Sequence, residues 1–243
     1  MNRRVCRHHG YEPTRPEHIA NCVSHGVAIL PSLYGLYLML TYSKSTPERI
    51  TSWVYGIATT LLFTASTTYH IFELMFRPKM QLARFWLHVC DRAGIYVYIA
   101  ASYQPWLTLR DGGRLAAPCL YVVWTGALLG IVHQYVFHER YKHLETILYV
   151  IVGSFPAVVV FEMTNYNGLT TVACAAICYV VGIVFFKSDG VVPFAHAIWH
   201  CHVVAGALLQ YIAVYVHLLS RETSANNTNN LLSSDVHAEH VEL

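Results

Sequence analysis

Seven long apolar runs decide what this chain can fold into. They lie at about 22–42, 50–72, 87–108, 116–137, 144–163, 169–186 and 193–219, and each approaches or exceeds the ~20 residues that a helix needs to cross a hydrocarbon core. No water is available there to hydrogen-bond an exposed backbone, so each run must form a helix whose amides are satisfied internally. Charge content agrees: 12% of the residues are Asp, Glu, Lys or Arg while 55% are hydrophobic, and a soluble domain carries about twice that charge fraction. The expected fold is an all-α membrane protein with seven transmembrane helices. It divides into a polar amino-terminal segment (1–21), the seven-helix domain (22–219) and a tail (220–243) rich in Ser, Asn and His that is expected to be disordered.

Smaller features refine this expectation. A net charge of +2 at pH 7 is too small to point to nucleic acid as a partner. The cysteines at 6, 22, 90, 119, 174, 178 and 201 fall mostly inside apolar runs, which argues against a disulfide framework. Cys174 and Cys178 share a helix face and read as small core residues. Pro31, Pro105 and Pro156 lie inside spans and should kink them. Gly126 and Gly130 form a small-xxx-small pair, a weak packing signal. The abundant Tyr and Trp read as an interfacial aromatic belt. The basic amino end is not followed by a short apolar core and cleavage site, so the first span is expected to serve as an uncleaved signal anchor.

Loop charges set the expected orientation. With the amino end cytoplasmic, inner segments hold Arg3, Arg4, Arg7, Arg15, Arg77, Lys79, Arg84, Arg140, Lys142 and Lys187, and outer segments hold Lys44, Arg49, Arg110, Arg114 and Arg221. This excess favours a cytoplasmic amino terminus and a lumenal or extracellular carboxy terminus. Such an arrangement is opposite to that of G-protein-coupled receptors. The sequon at Asn226 would then face the lumen or exterior.

Topology also brings polar groups to one membrane depth. His196 and His200 lie one helical turn apart, roughly 6 Å along the axis, at the start of the seventh span. The second span ends Ser66-Thr-Thr-Tyr-His70 and the third begins His88-Val-Cys-Asp91-Arg92. With the orientation above, all three ends are cytoplasmic. Three imidazoles with a fourth position left for water are the pattern of a catalytic zinc site, so His70, His196 and His200 are the expected Zn2+ ligands. Bound zinc lowers the pKa of its water toward about 7 and polarises a carbonyl. Asp91 is placed to orient or deprotonate that water, or to hold a ligand imidazole. Ser66, one turn deeper than His70, is placed to hydrogen-bond the water or a developing oxyanion.

Structural readings compete at each position. A single intramembrane histidine is more often a packing group than a ligand, but three at matched depth, two of them at i and i+4, reverse that preference. Asp91 has an ion pair with Arg92 as its alternative, and serines commonly join membrane helices. His202 points to another face and reads as packing. His88, one turn before Asp91, reads as a further lining residue of the same cavity, and His25 is a weaker case. His133, His138 and His143 are expected at the headgroups.

The set Glu17-xxx-Asn21, Ser66-xxx-His70, Asp91-xx-Gly94 and His196-xxx-His200 resembles the progestin and adipoQ receptor/haemolysin III family, one of a wider group of membrane hydrolases that includes alkaline ceramidases. The resemblance runs from about residue 12 to 215. Longer blocks, Ala100–Trp106, Phe137–Lys142, Phe185–Gly190 and Pro193–His200, are similar to its monocyte to macrophage differentiation factor subgroup. The resemblance implies seven helices with a cytoplasmic amino end, and a zinc held by His70, His196 and His200 beside Asp91 and Ser66. It further implies residence in Golgi and late endosomal or lysosomal membranes, with the plasma membrane as another site, and modulation of kinase signalling. Gln210 lies where relatives often carry another histidine.

The expected function is signalling by an endomembrane protein with an intramembrane zinc site. A ceramidase-like, zinc-dependent hydrolysis of a lipid amide would accompany it. Membrane lipids, a lipid substrate or ligand and cytoplasmic signalling proteins are the expected partners. A receptor or scaffold with structural zinc is the first alternative. An ion or proton transporter ranks last, because the outer halves of the second, third and seventh spans are largely apolar or aromatic.

Overall fold

The computed structural model describes residues 11–76, 79–138 and 140–219. Among these it holds seven helices: α1 (Arg15–Tyr42), α2 (Thr46–Phe76), α3 (Gln81–Thr108), α4 (Ala116–Val136), α5 (Lys142–Ser154), α6 (Leu169–Lys187) and α7 (Ala195–Val214). The seven-span expectation stands. The tail from 220, its sequon at Asn226, and Arg3, Arg4, Arg7 and Arg77 lie outside the described residues.

Helix boundaries follow local chemistry. α1 begins at Arg15 rather than near residue 22, because Thr14 precedes it and Glu17, its third residue, reaches back to the Thr14 amide at 2.7 Å. That is a capping box, and it starts a helix ahead of the apolar run. Pro31 and Pro105 are accommodated inside single helices. Pro156 behaves differently: α5 stops at Ser154 and the chain continues as tighter 3₁₀ turns over Phe155–Glu162, because proline lacks an N–H and crowds the carbonyl four residues back. α7 likewise ends in a wider π turn over Tyr215–Leu219.

α1 packs on α2 and α7, α2 on α3, α3 on α4 and α5, and α6 on α7. The last helix therefore returns beside the first, and the ends of α1, α2, α3 and α7 converge. Five segments, containing α1, α4, α5 with its 3₁₀ extension, α6 and α7, are long and apolar enough to cross a membrane. α2 and α3 carry too many polar residues to qualify by composition, and much of the polar content of α2 turns inward: Thr51, Ser52, Thr59, Ser66, Thr67, His70 and Glu73 are all buried. Outward faces present side chains such as Leu30, Tyr121 and Phe161, which are 74–86% exposed, as suits a lipid-facing surface.

Two expectations about small and aromatic residues need correction. The tyrosines are not only a belt. Tyr55, Tyr96 and Tyr98 are buried in the core, where the hydroxyls of Tyr98 and Tyr179 join α3 to α6 at 2.7 Å, the kind of partner that a buried phenol usually finds. Cys174 is exposed and Cys178 half-buried, so these thiols face outward instead of filling the core. The Gly126 and Gly130 pair serves two neighbours. A Cβ on Gly130 would lie 2.2 Å from the Tyr96 ring of α3, while one on Gly126 would meet Val152 of α5 at 3.2 Å.

Candidate metal centre

His196 and His200 lie on the first two turns of α7, whose capping residue Phe194 takes a left-handed backbone (φ 57°). His70 lies near the end of α2. Each of the three offers a ligand atom within 4.8 Å of the others, and their ring centroids are 4.7–5.1 Å apart. His70 and His200 are buried and His196 is half-buried.

The hydrogen bonds behind these rings decide which nitrogens remain available. His196 Nδ1 lies 3.0 Å from the Asp189 carboxylate, which can only accept, so Nδ1 carries the proton. His200 Nδ1 lies 2.9 Å from Ser24 Oγ. Ser24 spends its single proton on the Asn21 carbonyl at 3.1 Å, so His200 Nδ1–H donates to it. Both rings are thereby left with Nε2 as a lone-pair donor. His70 Nε2 is buried with no hydrogen-bond partner. Three inward imidazoles, two fixed from behind by a carboxylate and a hydroxyl, match the donor set and outer support of a zinc site. Zinc therefore fits the residues present.

A cavity of about 20 Å³ adjoins the histidines, lined in part by Ser66, Asp91, His25, His196 and His200. It has room for about one water. Asp91 and Ser66 thus share a cavity with two of the expected ligands. The guanidinium of Arg92 pairs with Glu145 of α5 at 2.9 Å, and the Tyr149 hydroxyl donates to the same carboxylate at 2.8 Å. Arg92 also lines the cavity, but its guanidinium is engaged by Glu145, while the Asp91 carboxylate takes a hydrogen bond from the Ser66 hydroxyl.

Three participants were weakly signalled or silent in the sequence. His25 stacks on His200 with ring centroids 3.8 Å apart and bonds Ser66 Oγ through Nδ1 at 2.8 Å. Its place inside an apolar run, where it reads as a weaker case of a cavity-lining histidine, was the only hint. Ser24 and Asp189 lie 176 and 7 residues from the rings they hold, and nothing in their spacing marks them.

Other histidines disperse. His88 does not line the cavity: its Nδ1 lies 3.2 Å from His138 Nε2 and its ring stacks on Tyr69. It has the depth of Asp91 but a different direction, because residues three apart on a helix differ by about 60° around the axis. His202 stacks on Phe185 of α6 and bonds the Ile198 carbonyl at 2.8 Å. Gln210 bonds the Ser102 carbonyl at 2.9 Å, tying α7 to α3.

A family described as Haemolysin-III related matches residues 14–211, a span that includes every candidate ligand. The chain belongs to this family. It is 41% identical over 223 residues to the monocyte to macrophage differentiation factor of Homo sapiens, covering 92% of this chain and 93% of that protein. It is 29% identical over 209 residues to Hemolysin-3 of Bacillus cereus, covering 84% of this chain and 92% of the relative. Members of the Haemolysin-III related family as distant as these align along nearly their whole length, so the match covers the whole bundle and not a single motif.

Proposed function

We propose that this protein holds one zinc ion through His70, His196 and His200 near the cytoplasmic face, and that the site hydrolyses a lipid amide such as ceramide, with signalling as its output. The observation that carries the reading is the convergence of three buried or half-buried imidazoles, two with Nε2 turned free, beside a one-water cavity that His196 and His200 share with Asp91 and Ser66. Bound zinc would supply a Lewis acid that polarises the amide carbonyl and acidifies a water.

The chain's own groups account for the remaining steps. Asp91 accepts a proton from the water as its oxygen attacks the carbonyl carbon, then returns it to the amine as the C–N bond breaks. The products are a fatty acid and a sphingoid base. When His25 carries its proton on Nδ1, it donates to Ser66 Oγ, and the Ser66 hydroxyl in turn donates to the Asp91 carboxylate and orients it toward the water. Outside the cavity, Asp189 and Ser24 hold the two α7 rings in place.

The charge asymmetry of the loops supports a cytoplasmic amino terminus. Similarity to a protein named as a differentiation factor supports a signalling role, exerted through cytoplasmic signalling proteins from Golgi and late endosomal or lysosomal membranes.

A receptor or scaffold with structural zinc is the second reading, and one observation favours it. His25 Nε2 is buried without a partner beside His200, so a small rotation would offer a fourth protein ligand and close the open position. The deciding experiment measures zinc content and fatty-acid release from ceramide for wild type and Asp91→Asn. Hydrolysis predicts one zinc in both and a rate lower by about 10²–10⁴-fold in the variant. Equal background rates with retained zinc would leave only the structural reading.

A further inference from the structure

A capping-box glutamate needs one oxygen to serve its own helix. Glu17 uses Oε2 for that purpose, accepting the Thr14 amide at 2.7 Å, the Thr14 hydroxyl at 2.8 Å and the Tyr11 hydroxyl at 2.6 Å. Its Oε1 does something else: it accepts the Phe194 amide at 3.2 Å, from a residue 177 positions away. Glu17 is only 4% exposed, so this carboxylate is an interior junction between the start of α1 and the start of α7.

The receiving turn is held in a conformation that it would not choose alone. Phe194 caps α7 at φ 57°, a region that bulky residues rarely adopt. Gly190, at φ 73°, lies directly against Tyr11, whose ring carbons would be 2.8 Å from any Cβ placed there. The turn fixed at these two points delivers Asp189, the residue just before Gly190, to His196 Nδ1, and α7 then presents His196 itself. Of the three candidate ligands, His196 is the least buried, and it sits at a helix start where the backbone is otherwise free to fray.

We propose that Glu17 is a positioning residue for the metal centre: with Tyr11 it straps the turn leading into α7 and so keeps Asp189 and His196 in ligating position. The proposal rests on the zinc reading for its consequence, but the strap itself is a property of the apo chain. An ordinary capping role would affect only the first turn of α1, whereas a strap controls a turn more than 170 residues away.

The test uses the full-length protein in lipid nanodiscs, as wild type, Glu17→Ala, Glu17→Gln and Tyr11→Phe. It reads zinc release to a chelator, the visible spectrum of the cobalt-substituted protein, and amide hydrogen exchange over residues 188–197. Glu17→Ala should release zinc about tenfold faster, the effect of losing one hydrogen bond to a charged group, with an altered cobalt spectrum and faster exchange at Phe194. Glu17→Gln keeps an acceptor for one side of the junction and should fall between the two, while Tyr11→Phe should be milder still. Wild-type release, spectrum and exchange in Glu17→Ala would overturn the proposal. A wild type that holds no metal would remove the zinc reading, and exchange over 188–197 would then decide the strap alone. Should Glu17→Ala fail to fold, Glu17→Gln and Tyr11→Phe carry the same comparison.

Discussion

α6 and α7 are neighbours that pack against each other along their length, yet they are built for different surroundings. In α6, 11% of the span is buried, against 39% in α7, and α6 contributes no buried polar side chain while α7 contributes His200 and Gln210. The contrast extends to the whole bundle. Among the described residues, α1, α2, α3 and α7 supply Glu17, Asn21, His25, Ser66, His70, His88 and His200, whereas α4 and α5 add only Gln134, Glu145 and Thr146. The most uniformly apolar helices are those turned toward lipid. Helices with broken apolarity turn their polar residues toward one another, because a polar group in a membrane interior is costly when it faces lipid. In this protein, low hydropathy within a span marks the half that carries the candidate site.

That contrast can be broken at several points. Most severe should be the double variant His196→Ala with His200→Ala, which is expected to lose stoichiometric zinc entirely, as read by metal analysis of purified protein; a full equivalent retained would detach the polar half from metal binding. Next comes the tie between the halves. Arg92→Ala leaves the buried Glu145 carboxylate without its cation, with only the Tyr149 hydroxyl beside it, and should destabilise the fold by about 3–5 kcal/mol, measured by denaturant or thermal unfolding in detergent. An unchanged transition would mean that α5 is held by apolar packing alone. At the smaller end, Gly130→Ala drives a Cβ into the buried Tyr96 ring and should cost about 1–3 kcal/mol. Val180→Ala on α6, 62% exposed to lipid, should change stability by no more than about 0.5 kcal/mol. Equal effects from these last two substitutions would erase the distinction between interior and lipid-facing positions.

Much of this was readable from residue order. Apolar run length located seven helices, and the i, i+4 spacing of His196 and His200 put two imidazoles on one face before any packing was known. Depth in the membrane also brought His70, Ser66 and Asp91 to the same level. Depth is only one coordinate, however. His88 shares it and still points to His138, and the direction a residue takes around its helix is set by what the helix packs against. His25 was underrated for the mirror-image reason: nothing in α1 alone shows that it faces α7.

Chain chemistry by itself determined the membrane class, the number of helices and the identity of the candidate ligands, because these follow from the cost of unsatisfied backbone in lipid and from the ligand preferences of imidazole. Tertiary structure alone decided which ring nitrogens are free, which groups hold them, and that Glu17 reaches Phe194. Those relations join residues that are up to 177 positions apart. They exist only once α7 has returned beside α1, and local sequence carries no record of that return.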